Sequence, residues 1–406
     1  VLRKNLRLSP AALLRSGGET AGHRGLRLTR LAPLGANAYL ALNDLCARKK
    51  LYATFLFVLT LAAFVVIVPQ NLYATVSSKS FVGYMGTGLC DMRIDLQQGT
   101  ALAKQAQAIQ TALASDPDVE TAALFTTRGY ALSLPDGSRE RISIDLGDHA
   151  LFPAQYQQGR APAAADEIAL SSLQADALAA SVGDTLTILS GDTPRTLTVC
   201  GVYADVTNGG KTAKASFSDE TTDVMRYMFA ADFAKGTAQA RIAAYQAAFP
   251  DAKVSDVERY VAQTLAGSIS AMRTAARAAL FAALLLAGLI TALFLRMLLS
   301  KDARSVAVLR ALGFTHGDIR AQYLWRAIII ALLGFVLGTL LANTLGERLA
   351  GMLIASLGAS GLRFCIDPLR AYLMCPALLS LSVLASAMLS LASAGRIPLC
   401  DHVRNE

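Results

Sequence analysis

Charged side chains are scarce in this 406-residue chain, making up 17% of it, where an ordinary soluble domain carries about 25%. Cysteine is also sparse, with 6 residues, too few to staple a chain of this length into a disulfide scaffold. The four histidines (His23, His149, His316 and His402) are scattered, so no metal cluster is expected and the metal-ligand set is none. No HExxH, CxxC or GxSxG string occurs, which leaves no catalytic constellation to assign. With 53% hydrophobic residues and 30 glycines, the composition also excludes a disordered or collagen-like chain. What is present instead is apolar residue in excess, with a mean hydropathy of +0.41. The length would allow two or three soluble domains at about 150 residues each, but the hydropathy makes this a membrane protein.

Four stretches hold about 20 predominantly apolar residues, the length that crosses a bilayer core. They are 51–72 (LYATFLFVLTLAAFVVIV at its start), a stalk and span over 271–299, 327–346, and 372–395. The last is thinned by serines and has Pro376 near its start, yet no charge falls between Arg370 and Arg396. Each run has a buried core helix as its alternative reading. The first run follows fifty polar residues and lacks a small-residue cleavage site, so it is not a signal peptide.

Charge orients the spans. Residues 1–50 carry a net +8, residues 74–270 a net −7, and residues 296–327 a net +4. Lysine and arginine next to spans mark the cytoplasmic side. This predicts a cytoplasmic segment over 1–50 and an extracytoplasmic α+β domain over 73–270. It further predicts a cytoplasmic loop over 300–326, an extracytoplasmic loop over 347–371 and a cytoplasmic tail over 396–406. The overall positive charge thereby becomes a topology signal, and no nucleic-acid partner is expected; membrane lipid is.

Within 73–270 the pattern predicts strands at 88–96 and 119–126 around a helix over 100–115, then a hairpin over 131–146 turning at Asp136-Gly137. Strand 166–171, a short helix, a hairpin over 184–205, a helix near 236–248 and a strand over 253–258 follow. Residues 208–220 read as an exposed loop. GGKT at 209–212 is like the end of a phosphate-binding loop, but Asp205 stands where its first glycine belongs. SGGE at 16–19 reads as a linker. Cys46 and Cys400 are expected reduced, while Cys90 with Cys200, or Cys365 with Cys375, form disulfides or remain free thiols.

The clearest local signals lie in 302–338, DARSVAVLRALGFTHGDIRAQYLWRAIIIALLGFVLG. VAVLRAL (306–312) has the spacing of a short amphipathic helix, Gly313 stands at a C-cap, and Thr315 with Asp318 forms a capping-box pair. Such a helix suits contact with a cytoplasmic partner, or else rests on lipid headgroups.

This loop resembles that of the FtsX-like (MacB-type) ABC transporter permeases, whose pattern runs Arg-x-x-Glu-[IV]-[GA]-[IVL]-x-Arg-Ala-[LV]-Gly-[AF]-[TS] and is followed by a G-x-x-x-G span. Val306, Ala307, Val308, Arg310, Ala311, Leu312, Gly313 and Thr315 match it, as do Gly334 and Gly338; Ser305 and Arg326 stand where glutamates are usual. GRAPAAADEIALS (159–171), VGDTLTI (182–188) and LTVCGVYAD (197–205) resemble the family's periplasmic core domain. The resemblance implies four transmembrane helices with a mixed α+β extracytoplasmic domain between the first two. It implies a permease subunit without its own ATP-binding motif or cofactor, ATP being bound by a partner ABC ATPase dimer, in a prokaryotic plasma (inner) membrane. The ATPase-coupling residues would be Val306, Val308, Leu309, Arg310, Gly313, Thr315 and Asp318, with Gly334 and Gly338 packing helices. The work is export or extraction of an amphipathic substrate (antimicrobial peptide, lipoprotein or lipid). The alternatives are mechanotransmission or signalling to a cell-wall hydrolase or sensor kinase, and a free-standing receptor. RLSPAALLR (7–15) and RIPLCDHVR (396–404) both resemble the tail that closes an FtsX-like half. The chain thus reads as the C-terminal half of a two-repeat permease, working beside a second permease half or a homologous permease, with a four-span permease carrying a long N-terminal extension as the alternative. The resemblance also implies that LGANAYLALNDLCARKK (34–50) is an elbow helix before the first span.

Overall fold

The computed structural model describes residues 36–394 except 98–100, 135–137, 192, 208–209, 221–222 and 360. The paired tails, the SGGE segment, His23, His402, Cys400 and the Asp136-Gly137 turn lie outside the described residues. In chain order the helices are α1 (Ala36–Ala47), α2 (Lys49–Val76), α3 (Leu102–Ser115), α4 (Ser172–Leu178), α5 (Ala238–Ala248), α6 (Val257–Thr264), α7 (Ala266–Lys301), α8 (Ala303–Ala311), α9 (His316–Leu341), α10 (Glu347–Ala355) and α11 (Cys375–Ala394). The strands are β1 (Met92–Leu96), β2 (Val119–Ser133), β3 (Arg139–Leu146), β4 (Tyr156–Gly159), β5 (Glu167–Ser171), β6 (Thr185–Ser190), β7 (Thr193–Tyr203), β8 (Thr212–Ala215), β9 (Val224–Phe233) and β10 (Lys253–Asp256). The described residues fall into two compact units, one of 36–61, 284–336 and 378–394, the other of 62–283 and 337–377.

Among the described residues, four helices are long and apolar enough to cross a membrane: Lys49–Val76, Ala266–Lys301, His316–Ala355 and Leu369–Ala392. The second begins at Ala266, ahead of the stalk start expected at 271. The third runs on through a π-helical turn, Ala342–Gly346, to Ala355, beyond the end expected at 346. A reason lies at Asn343, whose carbonyl accepts from Asn71 at 3.2 Å and whose amide donates to the Tyr372 hydroxyl at 2.8 Å. Polar side chains in lipid favour such partners, and a π turn lets one reach them.

In the first unit the serines that thin the fourth span become its packing face. Ser382 and Ser390, eight residues apart, donate to the carbonyls of Leu284 and Ala292 on α7, at 2.8 and 3.2 Å. Between those carbonyls lies Gly288, where an added Cβ would sit 2.7 Å from the Ser386 hydroxyl oxygen. Small residues let backbones approach in lipid, where no hydrophobic force between helices is available.

The second unit holds a ten-stranded sheet in the order β10-β1-β9-β2-β3-β8-β5-β7-β4, with β6 against β2 and β7. Pairs β3–β8 and β5–β7 are parallel, the others antiparallel. One face of β1 and β9 packs Ile94, Leu96 and Phe229 against Ile109 of α3 and Ile242 of α5. The opposite face carries Phe125 and Met228 beneath Tyr260 and Val261 of α6. The hairpin of β2 and β3 forms as expected, with Leu134 N–H donating to Ser138 across the turn at 2.9 Å.

Residues 212–215 correct the expected exposed loop: they form β8, an inner strand buried at every position. Thr-Ala-Lys-Ala carries no alternating large apolar residue, and its lysine hides the burial, because Lys214 is 4% exposed and reaches Asp145 at 3.8 Å. Strand β9 pairs with both β1 and β2, although MRYMFAAD shows no strand pattern to sequence reading. Cys90, Cys200, Cys365 and Cys375 are free thiols. Burial pushes the Cys90 thiol up to about 12, so it is chemically quiet.

The buried charges of this domain give it a pH dependence. His149 stacks on Phe125 with ring centroids 4.9 Å apart, and its Nε2 bonds the Asp145 carbonyl at 2.8 Å. Burial, then the nearby Lys214, hold its imidazole well below the ordinary value. Burial would raise the Asp145 carboxyl, but Lys214, Arg226 and the Thr127 hydroxyl outweigh it and lower it. Below about pH 6.5 the unfolded chain binds a proton at His149 that the folded chain refuses, so stability falls with pH by up to ~1.4 kcal/mol per unit. Asp145 adds its loss only below about pH 4. Thermal unfolding of the full chain between pH 7 and 5 should therefore fall steeply in the wild type and less in His149→Gln.

Candidate functional site

The turn from α8 into α9 is fixed by two local hydrogen-bonded motifs. At its C-terminus Gly313 takes φ +92°, Phe314 N–H donates to Leu309 at 3.1 Å, and Gly313 N–H donates to Arg310 at 3.0 Å. These two bonds make a Schellman motif, which needs a left-handed residue where glycine stands. Next comes the capping box: Asp318 N–H donates to Thr315 Oγ1 at 3.2 Å, and Thr315 N–H donates back to the Asp318 carboxylate at 3.0 Å. Both motifs predicted from sequence thus form, and together they set the angle between α8 and α9.

The site residues divide by environment. Val308 and Leu312 are exposed, 57% and 72%, and Leu312 is an exposed apolar position that sequence reading matched to the family pattern without giving it a role. Val306 and Leu309 are half-buried and line a cavity of about 600 Å³ with Leu40, Asn43, Asp302 and Gln322. The Arg310 guanidinium lies against the His316 ring in an exposed contact. Gly334 is buried where an added Cβ would lie 3.0 Å from the Leu59 Cβ and 3.3 Å from the Thr60 nitrogen. Gly338 is buried on the same helix. Replacing Gly334 by leucine should overpack this contact and cost about 1–3 kcal/mol. The same replacement at Gly351, which faces open space, should leave the thermal midpoint of the detergent-solubilised chain nearly unchanged.

Beneath α8 lies a closed ionic network that sequence reading missed. Asp302, 5% exposed, accepts from Arg48, from the Tyr323 hydroxyl at 3.0 Å and from Arg326 at 3.1 Å. Asp44 accepts from the Tyr52 hydroxyl at 2.6 Å and forms ion pairs with Arg48 at 3.3 Å and with Arg326 at 3.2 Å. Two carboxylates, two guanidiniums and two phenols thereby join α1, α2, the α7–α8 junction and α9. Arg326, which departs from the family's glutamate, is the centre of this network and is 7% exposed. The partners lie far apart in sequence, so only the i,i+4 pair Asp44/Arg48 was open to a local reading.

Four apolar membrane-crossing helices, an extracytoplasmic α/β domain between the first two, and a helix in the loop between the second and third define a polytopic membrane protein. Residues 277–398 match the family model of the FtsX-like permease C-terminal domain. Among solved structures the chain is similar to the periplasmic region of MacB from Actinobacillus actinomycetemcomitans, at 12% identity and a TM-score of 0.32 over 44% of this chain and 94% of that one. It is also similar to the extracellular domain of the noncanonic ABC-type transporter YknZ from Gram-positive bacteria, at 13% identity and a TM-score of 0.29 over 41% of this chain and 100% of that one. No curated protein sequence matches the chain.

Proposed function

We propose that the chain is the permease subunit of an ABC transporter in a prokaryotic plasma membrane, and that α8 is the element on which a separate ATPase dimer docks. The observation that supports this is the exposed pair Val308 and Leu312, presented on a helix fixed by a Schellman turn, a capping box and the Asp302 network. An exposed apolar pair on a rigid element is an anchor for a partner groove, because little ordering entropy is lost on docking. Val306, Leu309, Arg310, Gly313, Thr315 and Asp318 hold the anchor in place. ATP is bound by the partner, and closure of the ATPase dimer moves α8 and, through Asp302 and Arg326, the spans that the network joins. A second permease half or homologous permease completes the membrane part. The output is export or extraction of an amphipathic peptide, lipoprotein or lipid.

The test is reconstitution of the full chain with its co-purifying ATPase in liposomes. The expected results are ATP hydrolysis stimulated by an amphipathic substrate and movement of that substrate. Stimulated hydrolysis without substrate movement would assign mechanotransmission to a cell-wall hydrolase or sensor kinase. Failure to recover any ATPase would contradict both.

A further inference from the structure

The face of the sheet that lies under α6 carries charge where a buried face ordinarily carries aliphatic residues. Arg93 and Asp95 alternate along β1, so both point to one face, and Gln97 follows just past the strand's end. Register puts Lys253 opposite Asp95, and Arg226 opposite Thr127, itself opposite Asp145, itself opposite Lys214. Here a cavity of about 610 Å³ opens, with Arg93 and Arg226 inside, Lys253 and Asp251 at the rim, and Tyr260, whose ring stacks on the Arg93 guanidinium at 4.1 Å, and Leu265 as a wall. That volume suits a small molecule, since ligand sites run about 300–1,000 Å³.

What the cavity offers a guest follows from its hydrogen-bond accounting. Asp95 has both oxygens occupied by Arg93, at 2.7 and 2.8 Å. Asp145 accepts from Thr127 at 2.5 Å and from Arg226 at 3.5 Å on one oxygen, and its other oxygen forms an ion pair with the Lys214 ammonium at 3.8 Å. Each buried carboxylate is therefore neutralised by a cation beside it. The guanidiniums keep free donors: Arg93 uses three, on Asp95 and on Thr87 at 2.8 Å, and Arg226 uses two, on Thr127 and Asp145. A guanidinium has five. Unspent, geometrically fixed N–H donors plus a rim ammonium favour a ligand that is all acceptor.

We propose that this cavity is a binding site for an organic oxyanion, a carboxylate or phosphate monoester group held between Arg93, Arg226 and Lys253. The inference goes beyond the permease reading, because binding needs no ATPase and the two fail separately. Tyr260 and Leu265 belong to α6 and its C-cap, and Ile269 N–H of α7 bonds the Leu265 carbonyl at 2.8 Å. An occupied cavity therefore stiffens the start of the stalk.

The test is calorimetric titration of the full chain in nanodiscs with two anionic probes, glycerol 1-phosphate and N-acetyl-leucine, each against its neutral counterpart, glycerol and N-acetyl-leucinamide. At least one anion should bind roughly tenfold more tightly than its counterpart and slow hydrogen exchange in 257–265. Preference for the phosphate points to a lipid headgroup as the natural source, and preference for the carboxylate to a peptide terminus. Arg226→Gln should weaken binding; Lys253→Gln, at the exposed rim, tests the same contact without disturbing the fold. Lys211→Gln, whose side chain pairs with Glu140 outside the cavity, should bind as the wild type does. The proposal is overturned if neither anion binds better than its neutral counterpart, or if Lys253→Gln binds unchanged.

Discussion

Asp302→Ala should be the most destabilising single substitution near the loop between the second and third spans, costing about 3–5 kcal/mol. Removing this carboxylate takes away the partner that Arg48, Tyr323 and Arg326 share. Arg326 is 7% exposed and keeps only Asp44, so much of a buried guanidinium's desolvation is left uncompensated. Breaking one side of a buried ion pair is costly, whereas replacing the pair by apolar residues of similar volume is close to neutral. The double variant Asp302→Leu with Arg326→Met should therefore recover most of the loss, with Arg48 still paired to Asp44. Thermal unfolding in mild detergent reads both effects. An unchanged midpoint in Asp302→Ala, or a double variant worse than the single, would show that the network contributes no stability.

The second large effect separates binding from folding. Val308→Asp and Leu312→Asp place charge at exposed positions, where surface substitutions shift stability within about 0.5 kcal/mol. If α8 is the anchor of an ATPase, each charge is buried in an apolar groove on docking. Loss of a central interface contact costs about 2 kcal/mol or more, roughly 30-fold in affinity. The expected pattern is a normal thermal midpoint with loss of ATPase co-purification, the reverse of Asp302→Ala, which should lower the midpoint first. Equal ATPase recovery from wild type and both variants would remove α8 from the interface.

How much of this was legible in the sequence follows the range of each interaction. The four spans, the long start of the second span, the β2–β3 hairpin and both caps around Gly313 and Thr315 are written in windows of a few residues to a few turns. Strands β8 and β9 are not. Their places are set by partners dozens of residues away, and Lys214 disguises β8 as surface until Asp145 is beside it. The Asp302 network escaped notice for the same reason, with Arg48 and Asp302 separated by 254 positions. Arg326 read as a departure from a family pattern; its two carboxylate partners give that departure a structural reason. The serines of the fourth span looked like weakness in a hydropathy window, yet two of them bond the carbonyls of Leu284 and Ala292.

The central claim is that α8 meets a protein partner and not merely the membrane surface. The most direct measurement is photocrosslinking from a single reactive residue at position 308, with a second at Leu332, which is exposed on the apolar third span, as the lipid reference. Docking predicts a crosslink from 308 to an ABC ATPase and a crosslink from 332 to lipid. Crosslinks from both positions to lipid alone would contradict docking and leave α8 an interfacial helix.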